Sequence, residues 1–197
     1  LQEIIGTENT MGQYESYQFF SLPQLYQVVN GVNLFAPKFN VIPPGVDEAL
    51  YYPYYQEEKR IETKWQQWER RLFEDNSKDI HGSLDHPDKM PIFTMARFDK
   101  IKNITGLIQA FGMSKKLQHS CNLIFAAGTI HVEESSDSEE RNEITKAYDL
   151  IENYKLHGKV RWLPSINKLD TGEVYRIIAD HKGIFVQPAL FEAFGLT

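Results

Sequence analysis

Apolar residues recur along this chain with two different periods, and the change between them lays out its organisation. From position 91 onward, short apolar runs at 92–96, 122–127, 160–163 and 184–187 predict strands. The segments between them, at 105–111, within 137–155 and at 172–179, predict helices. Strands alternating with helices imply right-handed βαβ crossovers and a parallel sheet, an α/β fold. Such sheets bind ligands at the carboxyl ends of their strands. Three loops are therefore expected to carry chemistry: 97–103, 128–132 and 188–197.

The region before position 91 is less regular. Residues 1–55 are rich in aromatics and glycines, with a predicted helix at 23–29 and a short strand at 39–42. The turn Pro43-Pro44-Gly45-Val46-Asp47 closes that strand. Residues 56–89 are strongly charged and carry Trp65, Trp68 and Leu72 at helical spacing, which predicts a helix. The turn-rich stretch from His81 to Asp88 then reads as a connector. The chain thus divides into zones 1–55, 56–89 and 90–197. The acidic, serine-rich stretch 132–143 predicts a solvated loop and helix start.

Composition narrows the function classes. A length of 197 residues is enough for one full domain or parts of two. An apolar content of 42% and an aromatic content of 13% fit a soluble globular protein. The net charge of -6 argues against a general nucleic-acid surface, though not against a local phosphate pocket. Cys121 is the single cysteine, so no internal disulfide can form, and a reducing, cytoplasmic setting is expected. No apolar stretch approaches the roughly 20 residues that span a bilayer. The chain begins with Leu1 rather than Met and stops where an active-site helix would start, so a piece of a larger protein is expected. By itself such a piece is expected to be inactive and prone to associate through an uncovered sheet edge.

Arg97 and Lys102 follow the first strand of the regular region. One can reach the strand's carboxyl end from the strand tip, the other from the start of the next helix. Arg as a planar fork and Lys as a point charge could together neutralise a diphosphate, or both could be surface cations paired with Asp99. Glu192 follows the last apolar run at a strand-to-helix junction. It could cap or complement a helix N-terminus, or bind a sugar hydroxyl while neighbouring N–H groups hold a phosphate. Gly128, after its strand, is a weak signal. The chain has no G-x-G-x-x-G or Walker run, which disfavours a redox dinucleotide site or a P-loop. The six histidines show no metal-ligand spacing, and no metal site is expected. Cys121 reads as inert core, and Trp65 and Trp68 as packing residues.

Several long segments resemble the sucrose synthase family, retaining glycosyltransferases of the two-Rossmann-domain (GT-B) type. Gln2-Glu3-Ile4 with Gly12-Gln13-Tyr14-Glu15-Ser16 is similar to a segment near the end of the family's N-terminal lobe. The stretch from Gly31 through Pro37-Lys38-Phe39-Asn40 to Val41 is similar to its strand into the interlobe region. Ala96-Arg97-Phe98-Asp99-Lys100-Ile101-Lys102-Asn103-Ile104-Thr105-Gly106-Leu107 resembles its diphosphate loop, and Phe185 to Thr197 its donor-sugar segment. The resemblance implies that zone 1–55 ends the N-terminal lobe and enters the interlobe segment. Zone 56–89 would be a charged helical connector, and 90–197 the first half of the C-terminal Rossmann-like sheet.

The resemblance also implies roles. Arg97, Lys102, Leu196 and Thr197 would bind the nucleotide diphosphate, and Glu192, Phe194, Gly195 and Leu196 the donor glucose. Arg97, Lys102 and Glu192 would be the catalytic groups. Ser165 and Asn167 fall in the base-reading stretch. That stretch is one residue shorter than the plant pattern and lacks the glutamine expected opposite uracil, so UDP and ADP both stay open. The implied reaction is sucrose plus nucleoside diphosphate giving fructose plus nucleotide-glucose, by a front-face path in which the departing phosphate serves as base. It needs no metal and no cofactor beyond these substrates. The implied parent is a bacterial-type homotetramer. The family's ribose-binding glutamate would lie eight residues after Glu192, and its sugar-contacting histidine would precede Leu1. Sucrose-phosphate synthase, another GT-B transferase and a non-catalytic oligomerisation or interaction segment are the alternatives.

Overall fold

The computed structural model describes residues 50–191, and all but Phe191 fall in one compact unit, residues 44–190. The expected helix at 23–29, strand at 39–42, turn at 43–47 and the part of the donor-sugar segment from Glu192 to Thr197 lie outside the described residues. Four parallel strands form the centre: β1 (Met90–Met95), β2 (Cys121–Ala126), β3 (Val160–Leu163) and β4 (Ile184–Phe185). Their spatial order is β3-β2-β1-β4, with Ile92 opposite Leu123 and Ile184, and Leu123 opposite Val160.

Helices α1 (Glu62–Phe73), α2 (Ile104–Met113), α3 (Lys115–Ser120), α4 (Ser138–Asn153) and α5 (Lys168–Asp180) cover the two faces. All six residues of β2 are buried, as a central parallel strand requires, and successive side chains enter different cores. Leu123 and Phe125 join Ile108, Ile144 and Trp162 in the core under α2 and α4. Ile124 and Ala126 join Leu72, Val174 and Ile177 in the core under α1 and α5. The crossover helices lie on one face for β1 to β2 to β3, and on the other for the return to β4. The sheet therefore reverses its winding between β1 and β4, a topological switch point.

The parallel sheet expected from the sequence is present, with adjusted ends. β1 begins at Met90, and β4 holds two residues where four were expected. Among the described residues β4 pairs with β1 alone, and Ile184 and Phe185 stay partly exposed. Helix α5 begins at Lys168 rather than 172, because Asn167 accepts the Leu169 N–H as its cap. The short α3 had no apolar period to announce it. Ser114 starts it by accepting from the Leu117 N–H. Trp68 and Leu72 are buried, whereas Trp65 is 37% exposed, with the Arg60 guanidinium over its ring. The stretch 132–143 is less solvated than its composition suggests, since Ser135 and Glu143 are buried. Among the described residues, no helix is long and apolar enough to cross a membrane.

Polar groups fasten α1 to this frame. Arg161, fully buried on β3, donates to the carbonyls of Arg71, Gly82 and Asp75. Two of these lie at the C-terminal end of α1, where a cation complements the unpaired carbonyls. His181, at the end of α5, stacks on Phe73 with ring centroids 4.1 Å apart and bonds Glu69 Oε1 at 2.6 Å. That hydrogen bond raises the imidazole pKa, against an opposing effect of burial. A raised folded-state pKa stabilises fully below the unfolded value of about 6.5, and the benefit fades as pH rises through the folded value. His81, lowered by burial and then by His157, acts in the opposite direction. The difference in melting temperature between the protein and its Glu69→Gln variant is thus expected to be largest below pH 6.5 and to shrink above it. A difference that stayed constant across that range would exclude the linkage.

Candidate functional site at the sheet's carboxyl edge

The loops leaving all four strands meet at one edge of the sheet. The loop after β1 is built by local hydrogen bonds. Asp99 Oδ1 accepts the Lys102 N–H at 2.9 Å, and Asp99 O accepts the Asn103 N–H at 3.3 Å. Phe98 anchors the loop from below, 2% exposed and edge-on to Trp162 at 5.0 Å. Asn103 takes a left-handed conformation, φ 55°, just before α2. Its side chain does not cap that helix; Nδ2 donates to Pro188 O at 3.0 Å in the loop after β4. A Cβ on Gly106 would run into the Asn103 side chain and displace it from this position. Leu190 N–H bonds Ile101 O at 2.8 Å and completes the stitch across the switch point.

Arg97 leaves β1 with an 80% exposed side chain, 3.2 Å from Asp99 Oδ2. Lys102 is half-buried at the last turn before α2. The first turn of α2 holds no acidic residue, and its N-terminus has no side-chain cap. Arg97, Lys102 and the first amides of α2 thus lie on one segment at this edge, residue types suited to an anion with several oxygens. After β2, Gly128 adopts φ 46° with Glu140 Oε1 packed where a Cβ would stand, so a side chain there would be strained and would push the Glu140 carboxylate aside. Gly128 O accepts the Ser165 N–H at 3.0 Å, which joins the loops after β2 and β3.

Of the residues singled out in the sequence, Arg97, Lys102, Ser165 and Asn167 are brought to this edge. Ser165 and Asn167 are exposed, and the Asn167 carbonyl oxygen is already engaged as the α5 cap. Glu192, Phe194, Gly195, Leu196 and Thr197 lie outside the described residues. Cys121 starts β2 at the opposite edge of the sheet, and burial pushes its thiol pKa up, so it is no nucleophile here. Among the described residues, no cluster of three His, Cys, Asp or Glu could hold a metal ion. Sequence reasoning missed Asn103, Glu139 and Glu143, which act on the loop after β1. Asn103 left a usable signal, as an αL-tolerant residue before a helix. The glutamates left none, since acidic residues early in a helix are ordinary dipole partners.

The chain is similar throughout its length to several sucrose synthases. It is 58% identical over 198 residues to "Sucrose synthase" of Thermosynechococcus vestitus, which covers 100% of this chain and 24% of that one. It is 51% identical over 204 residues to that of Melioribacter roseus, with 100% and 25% covered. It is 49% identical over 198 residues to "Sucrose synthase 2" of Pisum sativum, with 100% and 24% covered. The chain thus spans about a quarter of the length of the curated relatives it matches. A solved sucrose-phosphate synthase from Thermosynechococcus elongatus aligns over 75% of this chain and 28% of that chain at 20% identity, with a TM-score of 0.47, too loose a likeness to bear on the assignment. The family model "Sucrose synthase first GT-B domain" matches residues 1–73. The model "Glycosyl transferases group 1" matches residues 76–197, which include the whole sheet and the loops at its carboxyl edge. The chain belongs to the group 1 glycosyl transferases.

Proposed function

We propose that the whole protein is a sucrose synthase that transfers glucose reversibly between sucrose and a nucleoside diphosphate. The reaction is sucrose + NDP = fructose + NDP-glucose, with retention of configuration. The single observation that carries this reading is the similarity of 46–58% identity to sucrose synthases of bacteria and plants over all of this chain. The cationic loop at the switch point supports it, because a sugar nucleotide is bound chiefly through its diphosphate. In this reading Arg97 and Lys102 neutralise the diphosphate as it departs. Glu192 holds hydroxyls of the donor glucose, with the backbone of Phe194, Gly195 and Leu196. Leu196 and Thr197 contribute to phosphate binding, and Ser165 and Asn167 lie beside the base. The nucleotide is UDP or ADP. No metal takes part: the arginine, the lysine and helix amides supply the positive charge a metal would otherwise provide. Residues 1–55 would end the N-terminal lobe, 56–89 form the connector, and 90–197 open the nucleotide-sugar-binding domain. The protein would act as a cytoplasmic homotetramer.

A charge-assisted hydrogen bond is worth about 1.5–3 kcal/mol, which corresponds to about 10- to 100-fold in rate if it strengthens as the diphosphate leaves. Full-length protein should release fructose from sucrose only when UDP or ADP is added, and Arg97→Ala should lower the rate by about that factor. Folded protein that releases no fructose with either nucleotide would redirect the assignment to another GT-B transferase, such as sucrose-phosphate synthase, or to a non-catalytic interaction segment.

A further inference from the structure

We propose that Glu139 is a positioning residue that holds the loop between Arg97 and Lys102 in its diphosphate-binding form, an inference that rests on the reading of that loop given above. Glu139 sits in the first turn of α4, where a glutamate would ordinarily serve its own helix. That need is already met, because Asp137 accepts the Glu139 N–H at 2.8 Å as the cap. The Glu139 carboxylate instead reaches across to the loop after β1, and its Oε1 accepts the Lys100 N–H at 2.9 Å. Lys100 lies between Arg97 and Lys102, so this bond pins the middle of the cationic segment.

One helical turn further on, Glu143 repeats the grip. It is 8% exposed, and its Oε2 accepts from Thr105 Oγ1 at 2.5 Å, in the first turn of α2. The intervening Glu140 serves a different loop. It accepts from Ser135 Oγ at 2.6 Å and packs against Gly128. Opposite α4, the same cationic loop is held by the bonds from Asn103 and Ile101 to the chain after β4. The loop is thus gripped from two sides, and Glu139 is the grip from α4 that acts on its middle. Fixing the backbone in advance reduces the ordering cost of seating a diphosphate.

The test uses full-length protein, with UDP and ADP titrated by calorimetry beside UMP and AMP. Glu139 is exposed, so its removal should leave the melting temperature nearly unchanged. Glu139→Ala should weaken diphosphate binding by about threefold to tenfold while monophosphate binding stays within about twofold. Glu139→Gln keeps an acceptor oxygen and should restore most of the loss. In an Arg97→Ala background the Glu139→Ala effect should shrink, because one of the two cations on the loop it positions is gone. Diphosphate binding equal to wild type in Glu139→Ala, equal losses for mono- and diphosphates, or losses that multiply with Arg97→Ala would each overturn the proposal. These titrations contain no sucrose. An absence of fructose release with the diphosphate difference intact would therefore count against the transfer reaction and not against the role of Glu139.

Discussion

Replacing Trp162 by alanine is expected to destabilise the protein by about 3–5 kcal/mol. The indole is fully buried on β3 and is the hub of an aromatic cluster. Phe125 stacks on it at 5.3 Å, Phe98 meets it edge-on at 5.0 Å, and Tyr148 lies at 5.3 Å. Its Nε1 also donates to Ala127 O at 3.0 Å. Truncation would open a cavity and leave that carbonyl without its indole donor, and the two effects add. For a unit of this size the melting temperature should fall by about 6–20 °C. Trp162→Phe, which fills most of the volume but lacks the donor, should cost clearly less. A Trp162→Ala protein that melted within a degree or two of wild type would refute this account of the core. The site would feel the change as well, because Phe98 lies under the cationic loop and Ala127 leads into Gly128.

The second large effect is expected at Glu173, 2% exposed on α5. It accepts from Arg60 Nε at 2.8 Å and from Arg176 through Nε at 3.1 Å and Nη2 at 2.8 Å. Arg60 also meets Asp180 at 2.5 Å. Arg176 in turn donates to Leu50 O at 2.9 Å, and its guanidinium lies 3.7 Å from the centre of the Tyr52 ring. Glu173→Ala would leave two guanidinium groups facing one another with the shared carboxylate removed. Breaking a buried ion pair from one side costs about 3–5 kcal/mol. The segment 50–60 should then detach from α5, so limited proteolysis should cut there faster in Glu173→Ala than in wild type. Unchanged cleavage and an unchanged melting temperature would show that the network contributes little. Glu173→Gln, which keeps acceptor capacity without the charge, should fall between the two.

Short, mainly apolar runs were sufficient to locate the four strands, and helical periodicity the long helices, because burial on both faces of a central parallel strand favours apolar residues at nearly every position. Cys121 to Ala126, polar only at Asn122, is the plainest case. The ends of elements were less legible, since they depend on single caps. Asn167 starting α5 and Ser114 starting α3 are ordinary polar residues until their side chains are seen to accept a backbone N–H. Buried charges were not legible at all. Nothing in the local sequence marks Arg161 or Glu173 as interior: the partners of Arg161 lie on α1 or in turns, Glu173 bonds Arg60 far away along the chain, and its i,i+3 pair with Arg176 looks like an ordinary surface pair.

The sequence alone determined the α/β class, the parallel sheet and the cationic segment from Arg97 to Lys102, together with its resemblance to a diphosphate loop. These follow from local periodicity and from a contiguous motif. The tertiary structure decided the strand order, hence the switch point between β1 and β4, and which distant residues grip the cationic loop. Those are pairings between positions up to about a hundred residues apart, such as Asn103 with Pro188 and Lys100 with Glu139. A hydrogen bond depends on where two groups stand in space, and periodicity along the chain records only which face each residue turns towards the core.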